Sequence, residues 1–217
     1  MTDYPLPYRY ICIEGNIGTG KTSLATRIAK LYNGKSILEQ FTDNPFLPYF
    51  YRDPERYAFP VEIFFMTERY KQLQKHMLAH DLFANHILSD YFFPKTLLFA
   101  RNNLHDEEFR IFQQLFQLLE KTIPDPDLLI YLHRSTESLM KLIRDRGRHM
   151  EVPISEPYLL KIQHAYFDYL RSENAFPILI LDVEEMDFIR NKQHLEEIRK
   201  LISQKYTPGI HRVSIHV

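Results

Sequence analysis

Gly15-Asn16-Ile17-Gly18-Thr19-Gly20-Lys21-Thr22 fits the pattern G-x-x-x-x-G-K-[ST] in full. Its surroundings suit that pattern. Arg9–Glu14 reads as a buried strand, and an amphipathic helix is expected over Thr22–Leu31. Glycines at such spacing let backbone N–H groups converge on phosphate oxygens, and the helix N-terminus adds partial positive charge. In this arrangement the whole loop from Gly15 to Thr22 cradles phosphates. Lys21 bridges the terminal two of a nucleoside triphosphate, and the Thr22 hydroxyl ligates Mg²⁺. The motif therefore predicts a triphosphate-dependent reaction, with ATP and Mg²⁺ as the expected donor and metal.

Outward from this loop, short apolar runs alternate with helical patterns. Strands are expected at Ser36–Glu39, His86–Asp90, Asp127–His133 and Pro177–Val183. Helices are expected from Asp53-Pro54 to about His80, and over Phe92–Leu104, Asp106–Thr122, Thr136–Arg146, Glu156–Glu173 and Phe188–Gln204. Pro60 should kink or restart the first of these. Continuous apolar strands separated by helices indicate a parallel sheet covered on both faces. The expectation is a P-loop three-layer α/β fold with five parallel strands, in a single domain spanning residues 1–217. Residues 206–217 have no assignment.

Composition removes several classes. A formal net charge of −1 gives no electrostatic footprint for a nucleic-acid polymer or an anionic membrane. The longest apolar stretches, such as Ile63–Met66, are far below the roughly 20 residues of a membrane span. The N-terminus lacks signal-peptide character, and one cysteine, Cys12, permits no internal disulfide. A cytoplasmic setting is expected, with Cys12 as a buried apolar residue. His76 and His80 lack the glutamate of a zinc motif and read as a surface pair. The guanine-binding pattern N-K-x-D is absent, since Asn191-Lys192 runs on into Gln193-His194, which disfavours a regulatory GTPase.

In open α/β sheets the ligand lies beyond the carboxyl ends of the strands, where Glu14, Glu39 and Asp90 fall. Glu39 and Asp90 flank the loop, so one can take a proton from an attacking hydroxyl while the other helps hold Mg²⁺. Arg144, Arg146 and Arg148 alternate around Gly147. They suit a lid at about residues 144–153 that closes over phosphates, or they complement a helix C-terminus.

These residues resemble the deoxyribonucleoside kinases from about residue 9 to about 190, and within them the bacterial deoxyguanosine kinases. The shared features are the loop, Glu39, Asp53–Tyr57, Arg146–Glu151, Pro157-Tyr158-Leu159, Val61–Phe65 and Glu68–Leu73. The resemblance implies a homodimer and transfer from Mg-ATP to a deoxynucleoside 5′-hydroxyl. It also implies Glu39 at that hydroxyl, Tyr51 and Glu151 at the sugar 3′-hydroxyl, and Asp187 and Phe188 near the adenine of ATP. Most of the family carries acid-Arg-Ser after the third strand, where this chain has Ser89-Asp90-Tyr91. Asp90 is assigned the acid's role, and which of Glu39 and Asp90 is the base stays open.

Glu62 stands where many members of that family have glutamine. A carboxylate offers acceptors only, which suits the adjacent N1–H and N2–H donors of guanine. Arg69, on the same helical face, and Lys95, at another base-contact position of the family, suit the O6 and N7 acceptors. The expected activity is a purine deoxynucleoside kinase, deoxyguanosine first. A thymidylate- or guanylate-type monophosphate kinase and a non-catalytic nucleotide-binding regulator are the alternatives. Glu62 can also be read as a first-turn acid on a helix started by Pro60.

Overall fold

The computed structural model describes residues 4–40, 44–78 and 85–214. Its chain runs β1 (Tyr10–Gly15), α1 (Lys21–Leu31), β2 (Lys35–Ile37), α2 (Leu47–Phe50), α3 (Pro54–Leu78), β3 (Ile87–Ser89), α4 (Lys95–Asn103) and α5 (Asp106–Glu120). It continues through β4 (Leu128–His133), α6 (Thr136–Arg146), a 3₁₀ turn (His149–Glu151), α7 (Glu156–Ser172), β5 (Pro177–Asp182), α8 (Lys192–Ile202) and β6 (Gly209–Ser214).

The strands form one all-parallel sheet in the order β2-β3-β1-β4-β5-β6. This is the expected α/β architecture with a correction: the sheet has six strands, not five. The sixth lies in the unassigned 206–217 stretch and pairs β5 from Pro177↔Gly209 to Asp182↔Ser214. It was missed because Gly-Ile-His-Arg-Val-Ser mixes polar and apolar residues, as a partly solvated edge strand must, and shows no continuous apolar run.

Alternate residues of the strands feed two cores. Ile11, Ile13, Ile130, Leu132, Leu179 and Leu181 pack against α1 and α8 on one face. Tyr10, Cys12, Leu129, Tyr131, Ile178 and Ile180 pack on the other, with α4, α5 and α7. Cys12 is fully buried there, and desolvation pushes its thiol up to about 12.

Local chemistry accounts for the shifts in helix boundaries. α3 runs through Pro60 without a restart; the ring costs one intrahelical bond, and the buried Ala58, Val61, Met66 and Leu73 hold the helix on the core. Its expected end near His80, and with it the His76/His80 pair, lies outside the described residues. α4 starts at Lys95 because Pro94 fixes its N-cap position, leaving Phe92 and Phe93 in the buried crossing from β3. α8 starts at Lys192, where the Asn191 side chain accepts from Gln193 N at 2.9 Å. Phe188 therefore belongs to the preceding turn, which Asp187 holds by accepting from the amides of Ile189 and Arg190. No helix among the described residues is long and apolar enough to cross a membrane.

Candidate active site

The chain leaves β1 to β2 on one side and later supplies β4 on the other, so the sheet's switch point lies at the carboxyl end of β1. The loop Gly15–Thr22 sits there. Gly18 and Gly20 have φ of 89° and 91°, which side-chain-bearing residues rarely adopt. A Cβ on Gly18 would stand 2.9 Å from Ile143 of α6, and one on Gly20 3.0 Å from Phe188. The two glycines thus let the loop pass close under the lid helix and over the α8 turn. α1 begins without a side-chain cap and without an acid in its first turn, leaving its N-terminal amides for an anion. Asn16 ties the loop to α7 by donating to Leu159 O at 2.7 Å. Lys21 donates to Asn16 O at 2.9 Å; burial and the nearby Lys95 lower its pKa to about 8.

A cleft opens from this loop between α3, α4, α7 and the lid. Its wall carries Ile17, Gly18, Lys21 and Thr22 at the loop end, and Val61, Glu62, Phe65 and Phe99 at the far end. Of the expected site residues, Glu39, Tyr51, Arg69, Asp90, Lys95, Arg146, Arg148 and Glu151 also line it. Arg144 does not: it faces solvent on α6. Asp187 and Phe188 are off its wall. Phe188 is buried behind Gly20, and the Asp187 carboxylate is engaged with its own turn.

The carboxylates have separate partners. Asp90 Oδ2 accepts from the Thr22 hydroxyl, and Oδ1 accepts from Glu39 N at 2.7 Å. Asp90 thereby joins the phosphate loop to the segment after β2. A hydroxyl beside a carboxylate is an oxygen donor set that fits a hard cation such as Mg²⁺. Glu39 Oε1 accepts from Arg69 Nε at 2.7 Å and pairs Arg69 Nη2 at 2.6 Å, while Oε2 accepts from Lys95 Nζ at 2.9 Å. Burial alone would raise its pKa, but the two cations win and hold it down at about 2. Arg69 also donates to Thr96 Oγ1 at 2.9 Å. Both cations assigned to the base are thus bound to the carboxylate assigned to the hydroxyl.

Glu14 is a structural acid. Its oxygens accept from Phe92 N at 3.0 Å, Tyr166 Oη at 2.8 Å and Gly15 N at 3.2 Å, clamping β1 to the β3–α4 crossing. Burial raises its pKa against the pull of Lys95 and Lys21. In the lid, Gly147 caps α6 at φ 68° and turns the chain so that Arg146 and Arg148 both donate to Glu151, Arg148 at 3.3 Å. The Tyr51 ring packs edge-on against Tyr158, 6.3 Å between centroids.

Glu62 differs from all of these. It is 2% exposed, Oε1 accepts from Asn103 Nδ2 at 2.7 Å, and Oε2 has no partner among the described residues. Asn103 was not foreseen. Lys95, Phe99 and Asn103 stand at i, i+4 and i+8 on one face of α4, so the helical spacing from Lys95 held the signal. Tyr158 was noted only as part of the family pattern, and it too lines the cleft.

A glycine-rich loop under an uncapped helix, opening into a cleft with ordered carboxylates, is the arrangement a P-loop phosphotransferase requires, and the chain falls in that class. It belongs to the deoxynucleoside kinase family, whose sequence profile matches residues 11–206. It is 33% identical over 196 residues to the deoxyguanosine kinase of Bacillus subtilis, covering 87% of this chain and 93% of the relative. To the deoxyadenosine/deoxycytidine kinase of the same organism it is 30% identical over 206 residues, covering 91% and 94%. The structure of a deoxyadenosine kinase from M. mycoides with bound dCTP superimposes with a TM-score of 0.75 at 26% identity, over 89% of this chain and 98% of that one.

Proposed function

We propose that this chain transfers the γ-phosphate of ATP to the 5′-hydroxyl of a purine deoxynucleoside, deoxyguanosine first, as a step of nucleotide salvage. The observation that carries this reading is the cleft itself. It runs from Lys21 and Thr22, past a charged Glu39, to an aromatic pocket lined by Glu62, whose buried Oε2 has no hydrogen-bond partner among the described residues. The two Bacillus subtilis relatives differ in the base they are named for and stand at nearly equal identity, so the choice of base rests on Glu62.

The loop amides and Lys21 hold the β- and γ-phosphates. Thr22 and Asp90 are the residues that would hold Mg²⁺, which would offset charge developing on the transferring phosphoryl group. Glu39 accepts a hydrogen bond from the 5′-hydroxyl and takes its proton as the new P–O bond forms and the bond from the γ-phosphorus to the bridging oxygen breaks, with ADP as the leaving group. Because Arg69 and Lys95 hold its pKa at about 2, Glu39 orients the hydroxyl more than it pulls on the proton. That suffices for a loose phosphoryl transition state, which asks little of a base. Arg146 and Arg148 close over the phosphates from a lid spanning about 144–153, while Tyr51 and Glu151 take the sugar 3′-hydroxyl. In this reading the chain is a single kinase domain, works as a homodimer in the cytoplasm, and binds the adenine of ATP near Asp187 and Phe188.

ADP release from Mg-ATP, measured with each of the four natural deoxynucleosides and with dGMP, tests the reading. Preference for deoxyguanosine is the expected result. Turnover of another deoxynucleoside alone keeps the reaction and removes the base assignment. Activity on dGMP alone turns the chain into a monophosphate kinase, and binding of ATP without any acceptor-dependent ADP makes it a regulator.

A further inference from the structure

We infer that Glu62 and Asn103 form a two-state reader of the base, in which the presence or absence of a proton on Glu62 Oε2 selects adenine or guanine. The inference rests on the deoxynucleoside kinase reading and extends it to what sets the substrate.

The two oxygens of Glu62 are unequal. Asn103 donates to Oε1, which leaves Oε2 as the buried oxygen that can gain or lose a proton without breaking a hydrogen bond among the described residues. Charged and titratable groups line the same cleft, with Lys21 and Asp90 at its loop end and Arg148 in the lid. Arg69 lies on α3, Glu39 follows β2, Lys95 lies on α4, Tyr51 follows α2, Tyr158 lies on α7, and Arg146 and Glu151 stand in the lid. The cations among them are engaged elsewhere, Arg69 and Lys95 with Glu39, and Arg146 with Glu151. Burial therefore outweighs Arg69, Asn103 and Lys95, Glu39 adds to it, and the carboxyl is pushed up to about 7. Both protonation states are accessible near neutral pH.

The states present different patterns. The charged form offers two acceptors, matching N1–H and N2–H of guanine, while the N1 lone pair of adenine would face a lone pair. The protonated form donates from Oε2 to N1 of adenine and accepts the N6–H at Oε1, while the N1–H of guanine would face a hydroxyl proton. Near pH 7, where both forms are populated, binding of deoxyadenosine thus takes up a fraction of a proton from solvent onto Oε2, and binding of deoxyguanosine releases the complementary fraction. Asn103 is a positioning residue, since its amide keeps Oε1 the acceptor in both states.

The test is the ratio of kcat/KM for deoxyguanosine to that for deoxyadenosine between pH 6 and 8.5. Phosphoryl-transfer steps common to both substrates cancel in the ratio. It should rise about tenfold per pH unit, because each unit changes the proportion of charged to protonated Glu62 tenfold. Glu62→Gln should flatten the ratio and fix it in favour of adenine. Asn103→Ala keeps the slope but moves the curve toward adenine, since the charged form loses a donor. Calorimetric titration of each nucleoside at pH 7, in buffers of unlike ionisation enthalpy, should show proton uptake with deoxyadenosine and release with deoxyguanosine. A ratio that stays flat while both are turned over, or equal proton counts, overturns the reader and leaves the kinase reading standing. Absence of turnover with every deoxynucleoside overturns the kinase reading, and the reader with it.

Discussion

Glu39 and Glu62 are buried acids on the wall of one cleft, and their surroundings drive them in opposite directions. Glu39 stands toward the phosphate loop and has two cations, Arg69 and Lys95, which hold its pKa near 2. Glu62 stands among Val61, Phe65 and Phe99, has one neutral donor, Asn103, and rises to about 7. Burial pushes both upward. The deciding difference is that the nearby cations are spent on the first acid and only partly felt by the second. The loop end of the cleft is thereby fixed in charge, as chemistry common to every acceptor demands. The far end keeps a carboxyl whose charge a ligand can set.

The comparison breaks most sharply at Glu39→Gln. Loss of the charged acceptor should lower kcat for every nucleoside, toward the low end of the roughly 10²–10⁴-fold range of proton-transfer catalysis, because the residue contacts the hydroxyl they share. The same change leaves Arg69 and Lys95 buried without their counter-charge and should cost about 3–5 kcal/mol of stability. Steady-state kinetics with two acceptors and a urea melt check both. With Glu39 neutral, Arg69 and Lys95 act on Glu62 alone, so the ranking should move toward deoxyguanosine; a move toward deoxyadenosine would break the link between the two acids.

Stability against pH gives the next largest effect, and the two acids carry opposite signs. Glu39 has a folded pKa below its ordinary 4.5, so its contribution is present above pH 4.5 and is lost as pH falls toward 2. Glu62 has a folded pKa above 4.5, so the folded chain binds more protons than the unfolded chain between pH 4.5 and about 7, and stability falls as pH rises through that window. The shift is worth on the order of 3 kcal/mol. Urea unfolding of the wild type and Glu62→Gln at pH 5 and pH 8 should show the variant gaining about that much at pH 8. Equal differences at the two pH values would mean that Glu62 is ionised at its ordinary pKa.

The loop end was also the more legible in the sequence. The loop Gly15–Thr22 is a contiguous motif whose function follows from backbone geometry, and Glu39 and Asp90 follow from their places just beyond strand ends. Five strands were legible as unbroken apolar runs, whereas β6 was hidden by its polar alternation. The far end depends on meetings between elements distant in sequence. Arg69 and Lys95 were assigned to the base by helical spacing, which fixes a face but not the partner across it, and that partner is Glu39. Asn103 meets Glu62 across 41 residues. The packing of Phe188 behind Gly20 likewise joins residues far apart in sequence, which spacing alone does not show.

Exchange of the acceptor-only group at Glu62 sharpens the comparison from the other side. Glu62→Gln should leave the chemical step intact and shift the ratio of kcat/KM for deoxyguanosine to deoxyadenosine toward adenine by about 10–100-fold at pH 8, the worth of one bidentate base contact. An unchanged ratio would remove Glu62 from base recognition without touching Glu39.

The lid arginines carry the smallest effect. Arg144 and Arg146 lie two residues apart on α6, so the helix turns them to different faces. Arg146 lines the cleft and donates to Glu151, whereas Arg144 faces solvent and is absent from the wall. Only a guanidinium on the cleft side can meet charge developing on the phosphates, and Arg148 stands beside Arg146 to replace part of what is lost. Arg146→Ala should therefore lower kcat by about tenfold. Arg144→Ala should stay within about twofold, as expected for a surface substitution away from such a site. Steady-state kinetics at saturating ATP measures both. An equal loss in the two variants would require α6 to rotate on closure, and would move the boundary between the fixed loop end and the rest of the cleft into the lid.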